Sequence, residues 1–113
     1  MEEVEEMSDV NVKEIMKKIP NHFNPEQAKG VSGTVQCEFS GDQASNWVIT
    51  IKNQTCQIEE TKIDNPDLTI KADAEDGVNV LTGKMDAMRA YMLGKIKVYG
   101  DLSLGMKFSN FLE

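Results

Sequence analysis

Two spacings of apolar residues alternate along this chain, and each marks a type of element. Val12, Ile15, Met16 and Ile19 stand three and four apart, which makes one stripe of an amphipathic helix. Asp9 is positioned to cap that helix. Pro20, which lacks an N–H, ends it at about Ile19, and Asn21-His22 is a natural restart. A short helical turn is expected over Pro25 to Lys29, closed by Gly30. The spacing then drops to two. Val35, Cys37 and Phe39 alternate with Gln36 and Glu38, and Trp47, Ile49 and Ile51 alternate with Val48 and Thr50. Asn53-Gln54 makes a tight hairpin turn, after which Cys56 and Ile58 point inward. These three runs form an antiparallel meander with one wet face.

"IDNPD" breaks the meander, and "LTIKA" is a fourth strand with Leu68, Ile70 and Ala72 inward. Asp73 caps a helix that runs to about Leu81, with Asp76 near the positive end of its dipole, and Gly83 stops it. Asp86 caps the next helix, Ala87 to Leu93, and Gly94 stops that one. "KIKVYG" is a fifth strand, and a last helix starts near Leu102. Strands lead and helices cluster late. The pattern predicts an α+β domain, a mostly antiparallel five-stranded sheet with helices packed on one face. Residues 1–8 are expected to be an acidic tail and residues 9–113 one domain.

Charge and chemistry narrow the function. The chain carries 12 Lys and Arg against 19 Asp and Glu, a net −7, which argues against nucleic acid. The distribution is uneven. Residues 1–9 hold five negatives and no positives, whereas residues 84–113 are net +2. This basic end is also the most apolar one, which suits a transient approach to a lipid surface and equally a solvated face of mixed charge. No run approaches the length of a membrane span. An acidic N-terminus unlike a signal peptide, and a Phe-Leu-Glu end in place of a peroxisomal address, make the cytoplasm the expected compartment.

Cys37 and Cys56 lack metal or redox spacing and are expected as free thiols. His22 is the lone histidine, at a helix boundary, so neither a catalytic triad nor a tetrahedral zinc site assembles from these residues. "GDLSLGMK" departs from a phosphate-binding loop, because Met106 occupies the lysine position. The expectation is no enzyme, no cofactor and no metal.

Two apolar lines remain at the back of the chain. Met85, Met88 and Met92 form one, with Tyr91 beside them, and Leu104, Phe108 and Phe111 form the other, flanked by Leu112. Both read as core facing the sheet, or as the lining of a cavity. Four of the seven methionines lie here, and this flexible, polarisable side chain suits ligands of varied shape.

"LTGKMD", "AYMLGK" and "GKIKVYGDLSLGMK", together with "NPDLTI" and "WVITIKN", closely resemble the sterol carrier protein 2 family of nonspecific lipid-transfer proteins. The resemblance covers residues 9–112 and implies an apolar tunnel enclosed between helices and sheet. Its implied ligands are fatty acyl chains, acyl-coenzyme A or sterols, held without covalent chemistry. Met88, Tyr91 and Met92 would line one wall, and Leu104, Phe108, Phe111 and Leu112 another, with the last helix as wall or lid. Asn53-Gln54 stands where the family frequently has Asn-Gly, and Ser109 where it often has Gln. The implied role is an intracellular lipid carrier. The alternative is a dimerisation or accessory domain that presents isoprenoid or quinone intermediates to a partner enzyme.

Overall fold

A computed structural model describes residues 11–108, and so leaves the expected acidic tail, the Asp9 cap, Phe111 and Leu112 outside the described residues. Helix α1 (Val12–Lys17) leads into a 3-10 turn, Ile19–His22. Strands β1 (Gly33–Ser40), β2 (Ser45–Lys52), β3 (Thr55–Glu59) and β4 (Leu68–Asp73) follow. Helices α2 (Ala74–Leu81) and α3 (Ala87–Met92) precede strand β5 (Ile96–Gly100) and helix α4 (Leu102–Phe108). The sheet order is β3-β2-β1-β4-β5, and every neighbouring pair is antiparallel except β1 with β4.

The period-two residues fall on one face, as expected. The pairing aligns Ile58, Ile49, Val35 and Leu68 in one row, and Trp47, Cys37, Ile70 and Val98 in the next. Buried Val12, Met16 and Ile19 of α1 and the 3-10 turn pack over this face, with Val78 and Leu81 of α2. Helix α2 comes close enough that a Cβ on Gly77 would stand 2.3 Å from a Phe39 ring carbon. Only glycine permits that approach.

Helix ends follow local chemistry. Asn11 caps α1, its side chain accepting the Glu14 N–H at 3.0 Å, so the cap falls two residues after the expected one. Asp73 and Asp86 cap α2 and α3 as the sequence predicts. Gly83 and Gly94 end them in the left-handed region, at φ +80° and +77°. The same closure recurs, with the Lys84 N–H reaching the Asn79 carbonyl and the Lys95 N–H the Ala90 carbonyl, each at 2.8 Å. In the hairpin turn Asn53 and Gln54 both take positive φ, and the Gln54 amide is held by the Pro25 carbonyl at 3.2 Å.

The outer face is less wet than the alternation implies. Gln36 is almost fully buried and Val48 nearly so. Gln36 donates from Nε2 to the carbonyls of Trp47 and Thr61, at 2.9 and 3.0 Å, and accepts the Ile63 N–H at 2.8 Å. One amide thereby staples the connection between β3 and β4 over the sheet.

Candidate functional site

Helix α4 is fixed to the sheet by two carboxylates. Asp101 caps it, accepting the Leu104 N–H at 3.1 Å, while the Asp101 N–H donates to the Asp67 carbonyl at 2.8 Å. The Asp67 carboxylate accepts the N–H and hydroxyl of Thr34, at 2.9 and 3.2 Å. The Thr34 hydroxyl also accepts the Asp67 N–H at 3.0 Å, so strands β1 and β4 are clamped where α4 begins. Gly100 sits at φ +104° against the Asp67 carbonyl, where a Cβ would come to 2.5 Å. The chain turns there tightly from β5 into α4.

That clamp drives Leu104 into the core above Gly33, and Gly105 onto Leu68. Leu104 is 5% exposed and Phe108 3%, both within the main core cluster. Helix α3 behaves differently. Ala90 is its buried residue, packed with Ala72 and Ile96 in a second, smaller cluster. Met88, Tyr91 and Met92, which the family resemblance puts on a tunnel wall, face solvent instead, with Met92 74% exposed. The cause is the short return: three residues separate α3 from β5, which holds the helix against the sheet edge where a small side chain fits.

The structure therefore brings Leu104 and Phe108 together and sets Met88, Tyr91 and Met92 apart from them. Ile70 and Val98, partly buried, pack against both clusters and form the seam between α3 and α4. Buried side chains occupy the space between helices and sheet. Trp47, Ile49, Ile51 and Leu68 are fully enclosed there. Two open concavities among the described residues lie elsewhere. One of about 380 Å³ is at the β3 edge beside Pro20. The other, about 620 Å³, is at the outer face near Lys71, Lys95 and Tyr99.

Reactive groups are few. Burial pushes the Cys37 thiol up to about 12 and the half-buried Cys56 thiol up to about 11, so both stay protonated and unreactive at neutral pH. Both are free thiols. His22 is exposed, and no cluster of metal-ligating side chains occurs among the described residues. Sequence reading missed Asp67, Thr34 and Gln36. Asp67 and Thr34 lie 33 residues apart, and only the parallel pairing of β1 with β4 joins them.

The model of the SCP-2 sterol transfer family matches residues 12–113. Hydroxysteroid dehydrogenase-like protein 2 of Xenopus tropicalis is 30% identical over 102 residues, which are 89% of this chain and 24% of that protein. The chain thus spans about a quarter of the length of such relatives. Among solved structures, the sec-alkylsulfatase Pisa1 from Pseudomonas sp. superposes with a TM-score of 0.80 at 18% identity, over 94% of this chain and 17% of that one. Sterol carrier protein 2 of Aedes aegypti, solved with the C16 fatty acid palmitate, superposes with a TM-score of 0.67 at 19% identity, over 90% of this chain and 94% of that one. At these identities the structural likeness establishes the fold.

Proposed function

The chain belongs to the SCP-2 sterol transfer family, and on that premise we propose that it is a lipid carrier that holds a fatty acyl chain without transforming it. The family match over residues 12–113 carries this reading. The palmitate complex of the Aedes aegypti protein supports an acyl chain as the ligand. The buried thiols and the isolated histidine are consistent with binding in place of catalysis.

The proposed ligand path is the seam over Ile70 and Val98. An acyl chain would enter there as α3 and α4 separate, and would replace side-chain contacts with its own. Each Å² of apolar surface removed from water contributes about 25 cal/mol, enough for micromolar affinity after ordering costs. Acyl-coenzyme A and sterols are the competing ligands. An acyl chain suits a narrow seam better than a rigid ring system does.

Native mass spectrometry of the freshly purified chain, followed by extraction and lipid identification, tests the reading. A stoichiometric acyl-lipid adduct is expected, and Val98→Trp should fill the seam and remove it while leaving the fold intact. A folded protein that shows a clean unliganded mass and takes up no added palmitate would overturn the proposal.

A further inference from the structure

The sheet has two edges, and the protein treats them differently. At β3 the Ile19–His22 turn packs alongside the strand. At the other edge β5 ends the strand order, with no described strand beyond it. The direction of its hydrogen bonds follows from one contact. The Asp101 N–H donates to the Asp67 carbonyl, one step along the register that pairs Gly100 with Leu68. Alternation then turns the N–H and C=O of Lys97 and Tyr99 toward β4, and those of Ile96, Val98 and Gly100 away from it. No turn, cap or loop bond reaches these three among the described residues. Strand β5 thus presents a row of open donors and acceptors, which another extended strand matches at that spacing.

The stretch from Lys95 to Asp101 is complementary to itself. Paired antiparallel about Val98, it sets Lys95 opposite Asp101, Ile96 opposite Gly100 and Lys97 opposite Tyr99. Lys95, Lys97, Tyr99 and Asp101 are all exposed. A base therefore meets an acid on both sides of the axis, and a lysine meets an aromatic ring on both sides. Tyr99 already takes a lysine in this way, with Lys71 Nζ 5.6 Å from its ring centroid. Centring the pairing on Lys97 sets that lysine against itself, and centring it on Tyr99 leaves Ile96 outside the ladder.

We propose that β5 pairs with β5 of a second copy across a two-fold axis at Val98, joining two five-stranded sheets into one. Val98 with Val98, and Ile96 with Gly100 on either side, exchange about six backbone hydrogen bonds. The same axis keeps both helical layers on one side of the joined sheet. Helix α3 packs through Ala90 onto Ala72 and Ile96, over β4 and β5. Its two copies therefore lie about 10 Å apart, the ordinary distance between packed helices. The apolar surface that α3 leaves open, with Met88, Tyr91 and Met92, then borders its own copy. The inference stands apart from lipid carriage, which needs only one copy.

Sedimentation velocity of the full chain over a concentration series, with amide hydrogen exchange at both ends of that series, tests the pairing. A concentration-dependent dimer is expected. In it the amides of Ile96, Val98 and Gly100 should exchange at least about tenfold more slowly than in the monomer, whereas those of Lys97 and Tyr99 are protected at every concentration. Lys95→Glu should raise the dissociation constant by about tenfold, because it sets an acid against Asp101 on both sides of the axis. Where the wild type is monomeric, the variant should keep the same thermal midpoint and palmitate uptake. Palmitate uptake reports on the carrier reading separately, so either can fail alone. A chain that stays monomeric to millimolar concentration would overturn the proposal and leave the edge to a strand of another protein. So would a dimer in which those three amides exchange as fast as in the monomer, or one indifferent to Lys95→Glu, since either assigns the interface elsewhere.

Discussion

Helices α3 and α4 carry similar side chains at similar spacing, yet they bury opposite halves of themselves. Helix α4 sends Leu104 and Phe108 into the main core and leaves Met106 outside. Helix α3 sends in only Ala90 and leaves its methionines and Tyr91 outside. Spacing of three, four and seven says which residues share a helix face. It does not say where that face points. For these two helices the direction is set by their attachments: the Asp67–Thr34 clamp and the tight Gly100 turn for α4, and the three-residue return into β5 for α3.

The difference is open to attack by substitution, with stability read from denaturant unfolding. Phe108→Ala should have the largest effect, a loss of about 3–5 kcal/mol, because it leaves a cavity under α4. Ala90→Leu should cost about 1–3 kcal/mol by overpacking the small site shared with Ala72 and Ile96, although leucine is a good helix former. Asp67→Ala should cost about 1–2 kcal/mol, since it removes both bonds accepted from Thr34. Met92→Ser should change stability by less than about 0.5 kcal/mol. If Met92→Ser costs as much as Phe108→Ala, the contrast between the helices is broken. If Ala90→Leu is silent, the seat of α3 is looser than Ala90's complete burial indicates.

The strands were legible because each needs only alternation and a turn. Asp73 and Asp86 were equally plain, as a carboxylate ahead of a helix has a local job. The final helix also matched where it is described, with Leu104 and Phe108 buried. What stayed hidden was non-local. Gln36 looked like one more outward polar residue, but the loop between β3 and β4 folds back and needs its amide. Asp67 looked like turn chemistry, and its partner Thr34 becomes a neighbour only once β4 pairs with β1. The outward turn of α3 was hidden for the same reason, since the proximity of Ala72 and Ile96 is a property of the sheet edge.

The paired glycine stops give α3 a mechanical character of its own. It hangs between Gly83 and Gly94, two left-handed swivels around which a Cβ would meet no other atom within 4 Å. A single buried residue seats the helix between them. A segment seated so lightly is expected to open locally while the sheet and the other helices hold. Hydrogen exchange would register that motion as amides of residues 87–92 exchanging by local opening, well ahead of those in the central strands.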